Sequence, residues 1–426
     1  MQVGLELGTG NWVLTTVSQG YNVANFSGSE RLRHRRLAAL CCMVLLCAGA
    51  SLAQVAGLKS FYEAGLKRNG IVGSRLVLLR GSEVAFQDSY GYARLATRQP
   101  VDDNTAFHWA SITKTFTAIA IMQLRDHGRL KLDDPAIKYI PELAAVHDSW
   151  GPVSAITIRQ LLSHSAGFRN PTWPWSGDQP WYPFEPTRWS QIVAMLPYTE
   201  VKFTPGSRYS YSNLGYVFLG QIIERLSGDD YEVYVDKNIL KPLRMYHSYF
   251  DKAPYSLLKY RSASYQINDG KLTEMPFDFD TGITVSNGGL NAPLADMVSY
   301  LKFLLGEPAP DSGYEEVLKR SSLREMFQPQ LKCSRAPDDP ANAPDENDSV
   351  GLGFFVRQQD GVRLVGHAGE QNGFMSHLYI QLETHRAYIV AYNTAAYDSA
   401  QNTALFDNGL RDYLARHFFQ PASGDR

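Results

Sequence analysis

A chain of 426 residues with 44% hydrophobic and 20% charged residues has room for one large core or two medium ones, and neither a disordered nor a fibrous protein has that composition. A formal net charge of -2 offers no electrostatic handle for nucleic acid, which would call for a clustered basic face, so nucleic acid is set aside as a partner. In chain order, the first signal is an address. Arg31, Arg33, His34, Arg35 and Arg36 precede an apolar stretch from Leu37 to Ala50, and Ser51 and Ala53 supply the small residues that an export peptidase accepts. The pattern predicts an exported protein, periplasmic or secreted, whose mature chain begins near Gln54. Residues 37–58 carry no charge, so the alternative is a membrane-anchored protein, and the membrane enters only if this segment is uncleaved. Residues 1–53 are read as an N-terminal extension and signal peptide. With Cys41, Cys42 and Cys47 removed along with it, Cys333 is left alone and no internal disulfide can form.

From Leu58 to Lys67 the apolar spacing predicts a short amphipathic helix, then a hairpin: a strand at Arg75–Arg80, a Gly81-Ser82 turn, and a strand at Val84–Tyr92. The middle of the chain is mostly helical, over Thr115–His127, Ile158–Ser163, Trp189–Leu196, Leu214–Ser227, Tyr231–Ile239 and Pro293–Leu305. Strand patterns return at Gly353–Gln358, Val362–Val365, Met375–Leu382 and Ala387–Tyr392, and Ala400–Phe418 reads as a closing helix. Strands divided between the two ends of the chain, each with a helix beside them, predict one antiparallel sheet covered by terminal helices, with a helical insertion between its halves. Residues 54–114 and 301–426 are assigned to the sheet domain and 115–300 to the insertion. Two loops stand out: Asn170–Trp189, which holds Trp173, Trp175, Trp181 and Trp189, and the Pro-, Asp- and Asn-rich Ala336–Ser349.

Three motifs with chemical potential follow one another in order: Ser111-Ile112-Thr113-Lys114, Tyr211-Ser212-Asn213 and His367-Ala368-Gly369. Ser-x-x-Lys also occurs at Ser256–Lys259 and Ser299–Lys302, so the spacing alone selects nothing. The copy at Ser111 opens a predicted helix, with Ile112, Phe116, Ile119 and Leu124 following and Gly128 as its stop. Helical residues three apart share a face, about 5–6 Å between Cβ atoms, so the Lys114 amine reaches the Ser111 hydroxyl. A serine hydroxyl is a poor nucleophile until a neighbouring base takes its proton, and a neutral lysine or a tyrosinate suffices where its pKa is lowered. Lys114 as a cation beside Tyr211 would lower that of the phenol. Neither a Gly-x-Ser-x-Gly elbow nor a His-Glu-x-x-His zinc signature occurs in the chain, and no cofactor or metal is expected.

With these motifs stand Leu132-Asp133-Asp134-Pro135, the stretch Leu161 to Phe168, Pro205-Gly206-Ser207 and Ser286 to Leu290. Together they resemble the serine β-lactamase and penicillin-binding-protein superfamily, in particular its class C-like branch of β-lactamases, esterases and D-aminopeptidases, over about residues 56–418. The fold implied is α+β and β-lactamase-like: an antiparallel five-stranded sheet flanked by terminal helices, an inserted mostly helical domain, and an active site in the cleft between them. The resemblance makes Ser111 the acylated nucleophile, Lys114 its activating partner and Tyr211 the proton shuttle to the leaving group and from the deacylating water. Asn213 would bind Lys114 and the flank of the substrate, His367 and Gly369 would line the substrate strand, and the amides of Ser111 and Glu370 would hold the oxyanion. His367-Ala368-Gly369 departs from the Lys-Thr-Gly of true β-lactamases and is similar to the esterase and D-aminopeptidase variant, which argues against efficient β-lactam hydrolysis.

The expected function is an exported serine hydrolase that cleaves an ester or amide of a small molecule or short peptide through a Ser111 acyl-enzyme. The alternatives are a β-lactamase or D-Ala-D-Ala carboxypeptidase, or a penicillin-binding sensor that deacylates slowly. His108 and His164 read as structural histidines. The tryptophan cluster reads as a cap on the helical core, with a substrate-lining role as its alternative.

Overall fold

Leu76 to Leu79 is an apolar run without polar alternation, the pattern of a strand covered on both faces, and β1 (Gly73–Arg80) is buried along nearly its whole length. Its side chains point alternately to opposite faces. Leu76 and Leu78 enter a core shared with Leu58, Tyr62, Leu66, Leu410 and Leu414, whereas Val77 and Leu79 enter the larger core built around Phe107, Trp109, Phe116 and Ile119. The computed structural model describes residues 56–168, 186–276, 281–306, 314–333 and 348–420. The apolar segment 37–53, tryptophans 173, 175 and 181, and nearly all of the Ala336–Ser349 loop lie outside the described residues.

The remaining long strands are β2 (Glu83–Arg94), β3 (Phe355–Gln359), β4 (Val362–Gln371), β5 (Phe374–Gln381) and β6 (Arg386–Tyr392). They lie in the order β3-β4-β5-β6-β1-β2, every pair antiparallel, with β1 zipped to β6 from Ser74↔Tyr392 to Arg80↔Arg386. Short strands at Leu331–Lys332, Asp348–Val350 and Gln99–Pro100 extend the edges, giving nine strands among the described residues where the strand patterns predicted six and the resemblance implied five. Strands of two or three residues carry no readable alternation. β4 also runs past its expected end at Val365, because glycine has low strand propensity and hides the continuation. Gly366 and Gly369 sit there because neighbouring backbone comes too close for a Cβ: one at Gly366 would clash with the Leu378 carbonyl, and one at Gly369 with the Trp109 carbonyl.

Helix α1 (residues 56–68) and helix α5 (Thr403–His417) supply the apolar side chains that cover one sheet face. Helix α2 (Thr113–Asp126) is buried on every face from Thr113 to Leu124 and serves as the centre of the larger core. Its buried threonines are hydrogen-bonded: Thr115 donates to the Ile112 carbonyl at 2.7 Å, Thr117 to the Ser286 carbonyl at 2.6 Å, and Thr113 accepts from the Leu290 amide at 3.0 Å. Helix α3 (Asn213–Ser227) packs on α2, capped by Ser212, whose hydroxyl accepts from the Gly215 amide at 3.0 Å, and ended by Gly228 at φ 80°. Helix α4 (Leu294–Leu305), read in sequence with the insertion, packs on β1, β5 and β6. Trp189 stacks edge-on against Phe218 and donates to Glu142 at 3.2 Å, the capping arrangement. No helix of the described residues is long and apolar enough to cross a membrane.

Candidate active site

Ser111 lies in a 3-10 turn, Ala110–Ile112, that runs directly into α2. The expected helix therefore opens two residues later than Ser111, and Ser111 sits on the tighter turn before it. Trp109 anchors the turn from below: its amide donates to the Leu290 carbonyl and its indole to the Ala292 carbonyl, each at 2.9 Å. Ala110 takes a left-handed φ of 46°, a conformation that costs a non-glycine residue about 1–2 kcal/mol and that the packing of Trp109 must enforce. Lys114 is one turn on. Its Nζ lies 3.0 Å from Ser111 Oγ and 2.8 Å from the Asn287 carbonyl, and 4.9 Å above the Tyr211 ring.

The Lys114 side chain is completely buried, and among the described residues no carboxylate pairs with it. Burial alone pushes its pKa well below the ordinary lysine value. Tyr211 is hydrogen-bonded to Ser111; burial pushes its phenol up, and the bond to Ser111 only moderates that rise. Lys114 is thus the group driven towards the neutral base, and Tyr211 keeps its proton, so the tyrosinate expected from a neighbouring cation is not supported. The amine is held by Ser111 and the Asn287 carbonyl, and Asn213 lines the same cleft.

Ser111, Tyr211, Asn213, His367, Gly369 and Glu370 line one cleft of about 850 Å3, with Lys114 beneath its floor. β3 pairs with β4 only as far as Gly366, so residues 367–371 form a strand edge beside Ser111, and Gly369 packs directly on the Trp109 carbonyl. His367 Nδ1 donates to the Ala368 carbonyl at 2.5 Å, which leaves Nε2 as an acceptor. Burial pushes its pKa down to about 3, so the ring is neutral. Glu370 is exposed, and its carboxylate accepts from the Tyr397 hydroxyl at the rim. Arg357, on another wall, holds Asp348 through a bidentate pair at 2.7 and 2.5 Å. The two other Ser-x-x-Lys copies lie outside this cleft, Ser256 and Lys259 both exposed on a 3-10 turn and Ser299 and Lys302 on α4.

Two contributors escape sequence reasoning. A backbone carbonyl, that of Asn287, holds the Lys114 amine, and no residue type signals a carbonyl. Tyr216, fully buried, places its ring 5.7 Å from the Lys114 amine and helps to keep water from it.

The chain matches the Beta-lactamase family over residues 58–408, and it belongs to that family. Its fold is the mixed α+β fold of a class C beta-lactamase, which it matches at 17% identity with a TM-score of 0.67, over 87% of this chain and 97% of that one. A solved structure of an octameric penicillin-binding protein homologue from Pyrococcus abyssi is similar at 27% identity and a TM-score of 0.68, covering 85% of this chain and 76% of the other. Protein flp of Staphylococcus aureus (strain COL) is 26% identical over 331 residues, 78% of this chain, and the chain spans 61% of the length of that relative.

Proposed function

We propose that this protein is a serine hydrolase that cleaves an ester or amide through an acyl-enzyme on Ser111. The observation that carries the reading is the buried Lys114 amine, free of any carboxylate among the described residues, 3.0 Å from Ser111 Oγ. Neutral Lys114 donates one N–H to the Asn287 carbonyl and receives the Ser111 hydroxyl with its lone pair, while Tyr211 bonds the same serine oxygen. Lys114 takes the Ser111 proton as Oγ bonds to the carbonyl carbon, the leaving oxygen or nitrogen departs with a proton from Tyr211, and Lys114 returns one to the phenol. Water then releases the acyl group by the reverse sequence. The amides of Ser111 and Glu370 are the donors assigned to the oxyanion.

The substrate preference follows from charge. Burial drives Lys114 towards its neutral form and holds His367 neutral, Arg357 is occupied by Asp348, and Glu370 places a carboxylate at the rim. A substrate carboxylate there meets repulsion that grows as water leaves the cleft. Neutral esters and amine-bearing substrates, small molecules or short peptides, are therefore preferred over penicillins and free-carboxylate peptides. Matched substrates with and without the carboxylate, compared by kcat/KM, test this; better turnover of the carboxylate member, unimproved by Glu370→Ser, refutes it.

The arginine-rich start and the apolar segment support an exported protein, and mass spectrometry of the native N-terminus decides between cleavage near Gln54 and a retained anchor. Ser111→Ala is expected to abolish labelling by a fluorophosphonate and turnover of short-chain esters and D-amino acid amides. Undiminished turnover in that variant would remove Ser111 from the mechanism. A burst of one equivalent that then stops would instead mark a slow-deacylating sensor.

A further inference from the structure

His164 ends the short helix Ile158–Leu162 and reads in sequence as a core histidine. Its backbone is unusual: φ is 51°, left-handed, where glycine or asparagine is the cheaper residue. In that conformation both its backbone and its side chain face the segment carrying Tyr211. The His164 carbonyl accepts from the Ser210 amide at 2.8 Å, and its Nδ1 accepts from the Ser212 amide at 3.1 Å. The imidazole lies against the Tyr211 ring, with centroids 4.4 Å apart and planes tilted by 31°. One residue thus grips the chain immediately before and immediately after Tyr211 and supports the ring between.

The tautomer is fixed by these partners. A backbone N–H can only donate, so Nδ1 presents its lone pair and the ring proton sits on Nε2. A protonated ring would lose the Ser212 bond, and burial holds the pKa well below the usual histidine value.

We infer that His164 is the positioning residue of Tyr211, fixing the phenol on Ser111 through hydrogen bonds to the amides of Ser210 and Ser212. The inference rests on the acyl-enzyme reading above, in which Tyr211 moves protons. The route assigned to it runs through Tyr211, although the ring also lies 5.0 Å from that of Tyr216, and the Tyr211→Phe background separates this role from packing. A misplacement of about 1 Å in a catalytic group costs about 100-fold in rate.

A double-mutant cycle with a chromogenic short-chain ester tests the inference. His164→Ala is expected to lower kcat about 100-fold while KM changes less than about threefold. In a Tyr211→Phe background the same change is expected to cost less than about threefold, because the hydroxyl it positions is already gone. His164→Asn keeps the left-handed backbone and places Oδ1 where Nδ1 was, so it restores most of kcat. His164→Gly keeps the backbone without the acceptor and replaces His164→Ala in the cycle if the alanine variant does not fold. Additive losses in the Tyr211→Phe background, or an asparagine variant as slow as glycine, overturn the inference. Turnover that survives Ser111→Ala overturns the acyl-enzyme reading itself, whereas a dead Ser111→Ala with additive losses overturns only the role of His164.

Discussion

A lysine kept from water without a carboxylate is a stability cost retained at a reactive position. In the unfolded chain Lys114 titrates near the ordinary value of about 10.4, and in the folded chain lower, so between the two values the unfolded state binds more protons. Stability therefore falls as pH drops through that window, and the loss is complete below the folded value. Lys114→Met removes the buried amine at similar length. It should raise stability at neutral pH by about 1–2 kcal/mol, read as a higher Tm, while turnover drops about 10²–10⁴-fold. A variant that keeps activity, or that is less stable than the parent, contradicts the assignment. The same titration predicts that kcat/KM declines on the acid side as Lys114 gains a proton, at a pH well under that of a free lysine. An acid limb near pH 10.4 would contradict it. The contact between Ser111 and Lys114 was legible in sequence because one helical turn brings the hydroxyl and the amine together. The Asn287 carbonyl was not, and His164 was not because its partner Ser212 is 48 residues away and nothing in the intervening chain marks the contact.

At the scale of the element, the site depends on two joints. One is the contact between β4 and the Ser111 turn, where Gly369 leaves no room for a side chain against the Trp109 carbonyl. Gly369→Ala is expected to push strand and turn apart and to lower kcat by at least about 100-fold, with a smaller loss of Tm. Normal fluorophosphonate labelling in this variant would show that the joint tolerates a methyl group. The other joint is the head of α3, where Ser212 caps the helix and follows Tyr211. Ser212→Ala should cost about 1 kcal/mol in denaturant unfolding. Long elements with clear apolar spacing were readable, α2, α3 and β1 among them. The extension of β4 was not, since its glycines answer to a neighbour far along the chain and not to a local preference.

For the whole molecule, acid is the natural denaturant. His108, His164 and His367 are all buried, and burial lowers the pKa of each. Unfolded, they take up protons below about pH 6.5; folded, His367 resists until about 3. The unfolded chain therefore binds more protons in that range, and stability falls as pH drops through it. Between about pH 7.5 and about pH 5, His367 alone should account for a loss of about 2 kcal/mol, read from urea midpoints, and a His367→Gln variant should lose less. An unchanged midpoint would mean that the ring is already charged or exposed. The architecture of helix-flanked sheet and helical insertion was legible because its halves sit at opposite ends of the described chain. That division also governs synthesis. Ser74 donates to the Ala391 carbonyl 317 residues away, and β1 has no partner on one side until β6 exists. A ribosome must deliver the chain as far as β6 before the central strand pair can close, so the nascent protein stays uncommitted, with the apolar run Leu76–Leu79 uncovered on that side, for most of its translation.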